Sequence, residues 1–134
     1  MLSGIEGGLL LVARVAFGGV LAFTGLNHFL DGESMAGYAE AKGLPAPRLA
    51  VVLSGGMLLF GGLAIALGVL PLLGAGAIVL FLLVATPTMH DFWAAPEEQR
   101  QSEMTAFLKN VGLLAGALAF MLLASLSWPY ALLA

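Results

Sequence analysis

Two histidines are the natural starting point for chemistry in this chain, because other reactive groups are scarce. There is no cysteine, which excludes disulfide exchange, thiolate catalysis, cysteine-ligated iron–sulfur clusters and thioether-attached haem. His28 follows Thr24 and Asn27, while His90 follows Thr86, Pro87 and Thr88 and precedes Asp91. Thr86 and His90 stand four apart and face one way on a helix. Pro87 has no N–H, so a backbone carbonyl is freed beside them. Arg48, Lys109 and Asn110 complete the polar set.

Four chemistries suit these residues. Two imidazoles and the Asp91 carboxylate have the composition of a facial triad for a metal. His28 and His90 have the ligand type of a bis-imidazole haem. With His titrating near neutrality, the group also suits the head of a quinone or a similar apolar molecule. The fourth reading is a structural clamp, with Asp91 pairing Lys109 or Arg48 and the histidines closing helix ends. No ligand spacing in the chain chooses among them.

Arg14 is a separate problem. It lies inside an apolar run, where arginine at mid-bilayer costs roughly 2.5–3.5 kcal/mol on insertion scales. It either snorkels to the near interface or faces the interior. At 3.6 residues per turn Arg14, Gly18, Leu21, Gly25 and His28 share one stripe with Thr24 beside it, and small and polar residues there argue for an inward side.

The elements that position these groups follow from composition. Of 134 residues 60% are hydrophobic and 10% charged, and the mean hydropathy is +1.02. A soluble domain this small cannot hide so much apolar surface. The net charge of −3 offers no basic face for nucleic acid. A membrane helix needs about 20 apolar residues, and four windows qualify. The expected fold is an all-α four-helix transmembrane bundle in a single membrane domain over 1–134, with helices at about 7–30, 49–70, 72–92 and 107–128. The first run is too long, and its flank too acidic, for a cleaved signal peptide.

Leaving Glu6 and Arg14 aside, 11 of the 13 charges fall in Asp31–Arg48 and Asp91–Lys109. Four helices put those two connections on one face of the membrane. Gly68-Val-Leu-Pro71 is a tight turn on the other. Lys42, Arg48, Arg100 and Lys109 against Arg14 and the terminal amine place the loops in the cytoplasm and the termini outside, by the positive-inside rule. The expected location is a prokaryotic plasma membrane. Pro96-Glu-Glu reads as the start of a short amphipathic helix along the membrane surface, carrying Met104 and Phe107.

Many of the 18 glycines fall in the spans, where close backbone approach holds helices together in lipid. Gly112-x-x-x-Gly116 suits internal packing or a homodimer face. A faint duplication relates His28, Met35, Tyr38 and Arg48 to His90, Met104, Phe107 and Lys109.

The runs Gly25-Leu-Asn-His28-Phe29, Lys42-Gly-Leu-Pro45-Ala-Pro47, His90-Asp91-Phe92-Trp93 and Phe107-Leu-Lys109-Asn110 together resemble the DoxX family of small four-helix membrane proteins. The resemblance extends from about Leu10 to Gly116. It implies kinship with a small subunit of an archaeal membrane oxidoreductase that passes electrons from thiosulfate to quinone. The family's polar positions map onto Arg14, His28, Lys42, His90, Asp91, Lys109 and Asn110. Relatives often carry an acid in the second helix, in a Gly-x-x-Glu context, and Gly55-Gly56-Met57-Leu58 has none.

The expected function is a small membrane subunit or accessory of quinone-linked redox metabolism. Its ligand pocket would be formed by Arg14, His28, Arg48, His90, Asp91, Lys109 and Asn110. A quinone is the expected ligand; haem or a metal at His28, His90 and Asp91 is the lesser alternative. The expected partners are the lipid bilayer, other membrane redox subunits and a second copy through the glycine-rich faces. The competing reading is a non-catalytic interaction or assembly protein with a structural polar clamp.

Overall fold

The computed structural model describes residue 2 and residues 4–133. Five helices follow in order: α1 (Gly4–Leu30), α2 (Gly32–Ala41), α3 (Pro47–Leu67), α4 (Pro71–Met89) and α5 (Glu97–Leu123). One 3-10 turn, Phe92–Ala94, links the last two. Four of these helices are long and apolar enough to cross a membrane. The protein is an all-α transmembrane bundle, and its outer surface is apolar because lipid is its solvent. Leu9, Val12, Val20 and Phe23 of α1 all point outward, as lipid-facing residues should.

Glycine sets the closest seam. A Cβ on Gly18 or Gly62 would run into the facing backbone at Gly62 or Gly18, and one on Gly25 would strike Leu59 and Gly55. These residues let α1 and α3 touch backbone to backbone, which substitutes in lipid for the missing hydrophobic drive. Gly61 and Gly74 do the same between α3 and α4, where a Cβ on either would lie 2.9 Å from the other's carbonyl. α4 packs against α5, and the ring closes between α5 and α1 through Phe17, whose ring lies tilted against Phe120 with centroids 5.1 Å apart. Leu21, Leu58, Ile65, Ile78, Leu82, Ala117 and Phe120 fill the middle.

Local signals explain the helix ends. α3 and α4 each begin on a proline, Pro47 and Pro71, whose missing N–H costs nothing at that position. α2 closes in a Schellman motif: Leu44 N–H donates to Ala39, Gly43 N–H donates to Glu40, and Gly43 takes a φ of +84°. That turn fixes Lys42 at the end of α2.

Two segments differ from the sequence reading. The connection Asp31–Arg48 contains a helix, α2, whose Ala36 and Ala39 are buried. The surface helix expected near Pro96 is the first part of α5, because no glycine or proline interrupts residues 97–111. At 1.5 Å per residue α5 is about 40 Å long, more than the ~30 Å hydrocarbon layer. Its polar start therefore projects beyond the apolar core.

At the opposite end α5 stops at Leu123, and the chain turns back. Trp128 Nε1 donates to Leu123 O at 2.8 Å. Leu132 and Leu133 donate to Leu67 and Gly68, forming an isolated bridge between Val69 and Leu133. This segment covers the α3–α4 turn.

Candidate functional site

The polar residues of the two connections meet at the loop-side end of the bundle. The Schellman turn after α2 delivers Lys42. Its Nζ donates to Asp91 Oδ1 at 2.7 Å and to Glu103 Oε2 at 2.8 Å. Tyr38, one turn earlier on α2, donates its hydroxyl to Glu103 Oε2 at 3.0 Å and lies 3.1 Å from Met89 O. His90 Nδ1 lies 3.3 Å from Glu103 Oε1, the separation of an imidazole N–H donating to a carboxylate. One buried carboxylate thus joins α2, the end of α4 and the start of α5. It stands near the edge of the hydrocarbon, since about 20 residues back from Leu123 reaches Met104.

Lys42 and Tyr38 are held in their protonated forms. Burial opposes the charge on Lys42, yet its hydrogen bonds to Asp91 and Glu103 hold its pKa well above the ordinary lysine value. Burial and then the hydrogen bond to Glu103 push the Tyr38 phenol up. The cluster sets one ammonium against two carboxylates, so with neutral His90 it carries one excess negative charge.

Beside the cluster Phe92, Trp93 and Phe107 form a triangle of edge-on contacts at 5.3 to 5.9 Å. Aromatic belts of this kind mark the membrane interface.

The other residues singled out by sequence are placed as follows. His28 is buried on α1 and pairs its Nδ1 with the Thr24 carbonyl at 2.9 Å. That carbonyl only accepts, so Nδ1 donates; the ring stands edge-on to Phe81 at 6.3 Å. Asn110 is buried on α5, two turns from Glu103 on the same face. Arg48 pairs with Glu33 at 3.1 Å in an exposed bridge. Lys109 is exposed, and among the described residues it forms no ion pair. Asp91 therefore pairs with Lys42, and not with Arg48 or Lys109.

Arg14 lies at the far end. Its guanidinium donates to Ala66 O at 3.3 Å, Pro129 O at 2.6 Å and Tyr130 O at 2.9 Å. The Trp128 ring sits 5.4 Å from it. Arg14 is 1% exposed, so it faces inward and does not snorkel. Being level with Ala66, it stands beside the last turn of α3, where backbone carbonyls from the returning chain solvate the charge.

Glu103 and the part played by Tyr38 are missing from the sequence reading. Glu103 resembles any solvated acid in Glu97-Glu-Gln-Arg-Gln-Ser-Glu103. The one available signal was its seven-residue spacing from Asn110 and fourteen from Ala117, a stripe the longer α5 turns inward. The second span has no acid, and Glu103 is a buried carboxylate on α5. No three His, Asp or Glu side chains among the described residues are grouped to hold a metal ion. Two apolar grooves, of about 300 and 400 Å³, lie near the α3–α4 turn and between α3 and α4, away from the cluster.

Four apolar helices, with a polar cluster tying the connections at one end, define a small integral multi-pass membrane protein. The DoxX family model matches residues 9–91, well over half of the chain, and the chain belongs to that family. No curated protein and no solved structure matches it. The matched residues end at Asp91, so α5 with Glu103 and Asn110 follows them.

Proposed function

We propose that the protein is a small subunit or accessory of quinone-linked membrane redox metabolism, with the loop-side polar end of the bundle receiving the ligand's head group. The observation that supports this reading is Glu103, a buried carboxylate in contact with a phenol, an ammonium and an imidazole at the membrane edge. Groups of these three kinds exchange protons over a wide pH range. A quinone bound there would supply two-electron redox chemistry. His90 would take a proton and neutralise the excess negative charge, Glu103 would hold it by hydrogen bonding, and Lys42 would keep both carboxylates ionised. His28 and Asn110 would lie on the bundle side of the cluster, with Arg48 and Lys109 outside it. Arg14 would act at the other end as a structural charge.

A second reading has its own observation. The charges of the cluster are paired internally, and both apolar grooves lie elsewhere, as suits a clamp in a non-catalytic assembly protein. Decylubiquinone titration of the detergent-purified protein, monitored by tryptophan quenching, separates the two. Saturable binding by the wild type, weakened at least about tenfold in His90→Ala, supports the redox reading; such a loss corresponds to about 1.4 kcal/mol. Absence of binding, with Lys42→Met lowering the melting temperature and releasing a co-purifying partner, supports the assembly reading. Loops in the cytoplasm and termini outside form part of the proposal, as does location in a prokaryotic plasma membrane.

A further inference from the structure

α1 and α5 meet at the Phe17 ring and part from it toward the loops. A Cβ on Gly116 would lie 2.9 Å from that ring, which also rests against Phe120. The two helices run antiparallel, since α1 ends and α5 begins on the loop side. Two turns from Phe17 toward the loops, on the same face of α1, stands Thr24. Two turns from Gly116 in that direction, on the same face of α5, stands Lys109. Helices still in contact there would cover both side chains. Both are exposed, so a surface cleft opens between α1 and α5 on the loop side of Phe17. Asn27 and Thr105, one turn nearer the loops, are exposed at its rim.

Lys109 is the charge of this cleft. The hydrocarbon edge falls near Met104, and five residues of helix set the Lys109 backbone about 7.5 Å deeper. A lysine at that depth lifts its ammonium along its own apolar stem to the level of the lipid phosphates. Lys42 and Arg48 are neutralised by carboxylates, whereas Lys109 forms no ion pair among the described residues. The loop side as a whole carries seven acids and four bases, so no general attraction gathers anions there, and a local group has to do so. The threonines add a second preference. Thr24 and Thr105 give their hydroxyl hydrogens to the carbonyls four residues earlier, at 2.9 and 3.0 Å. Their oxygens are left to accept.

We propose that the cleft between α1 and α5 holds the head group of an anionic, hydroxyl-bearing phospholipid from the loop-side leaflet. The Lys109 ammonium and the Asn27 amide donate to its phosphate, and Thr24 and Thr105 accept from its hydroxyls. A choline head offers no hydroxyl to those oxygens and brings a second cation beside Lys109. The proposal does not depend on the ligand assigned to the Glu103 cluster.

Native mass spectrometry of the detergent-purified protein, titrated with phosphatidylglycerol or with phosphatidylcholine of the same chains, counts the retained lipids. The variants are Lys109→Gln, Lys109→Arg and Arg100→Gln. Arg100 is exposed on the opposite face of α5, beyond the hydrocarbon edge, and its loss changes the charge equally. The expected result is one phosphatidylglycerol per chain, with phosphatidylcholine and the Lys109→Gln variant each weaker by about tenfold or more, and Lys109→Arg and Arg100→Gln within about threefold of wild type. Lipid-free melting temperatures should match the wild type, because the replaced side chains are exposed. Undiminished binding by Lys109→Gln overturns the proposal, and so does an equal loss in Arg100→Gln, which would make the attraction diffuse. Displacement of the lipid by millimolar sodium phosphate assigns the site to a free anion and overturns the lipid source. A dimer in place of the lipid adduct assigns the cleft to a second copy of the chain and overturns the proposal as well. An early lipid-free melt in Lys109→Gln, with lipid binding intact, gives Lys109 a structural role and likewise overturns it.

Discussion

Glu103 shows how much one side chain can decide at a membrane edge. Its two oxygens accept from three side chains, two from α2 and its closing turn and one from the end of α4, so it acts as a knot among α2, α4 and α5. Tyr38 reports on that knot optically. In a Tyr130→Phe variant, tyrosinate absorbance belongs to Tyr38 alone, and its midpoint should lie above the ordinary value of 10.0. Glu103→Gln removes an acceptor charge and should bring the midpoint down. A raised phenol pKa also means that folding loses this contribution as pH climbs above the unfolded value. Lys42 acts in the same direction: its contribution is complete below the ordinary lysine pKa and is lost as pH rises through the higher folded value. Arg14 is the counterpart at the other end, bound by three carbonyls. Arg14→Met strands those acceptors and should cost at least about 2 kcal/mol. Faster carboxypeptidase trimming of the chain end and a lower melting temperature are the expected readouts.

Elements are held by contacts of two kinds. α1 and α3 meet through glycines whose missing side chains admit the facing backbone, whereas α2 is bound by charge. Gly62→Leu should drive α1 from α3 and destabilise by a few kcal/mol, at the upper end of overpacking costs of about 1–3 kcal/mol. Gly56→Leu is the control, since a Cβ at Gly56 meets nothing within 4 Å. Comparable melting temperatures for the two variants would refute the glycine seam. Gly112 likewise faces open space, while Gly116 meets the Phe17 ring. The Gly112-x-x-x-Gly116 pair is thus split between an outer face and an internal contact.

At the scale of the molecule, length mismatch shapes the two ends. α1 and α5 have 27 residues each, α3 has 21 and α4 has 19. The long helices outrun the short ones, α5 toward the loops and α1 toward the opposite end, where residues 124–133 fill the step above the α3–α4 turn. The proposed orientation gives a direct check, because the chain has no cysteine. A single cysteine in place of exposed Glu33 should be labelled only from the cytoplasmic side of sealed cells or inverted vesicles. One in place of exposed Leu132 should be labelled from outside; the reverse pattern would invert the proposal.

Sequence alone determined the membrane class, the number of apolar spans and the gathering of both polar connections at one end. Those features follow from hydropathy and chain connectivity, which are local properties. It also showed the inward stripe from Arg14 to His28, since helical period fixes which residues share a face. The tertiary structure decided the partners. Lys42 reaches Asp91 because a Schellman turn aims it there, and Glu103 turns inward because α5 begins ten residues before the expected start. Arg14 finds carbonyls because the chain folds back over a short α3–α4 hairpin. Charge pairing depends on distances of a few ångströms between segments far apart in sequence, and only packed helices fix those distances.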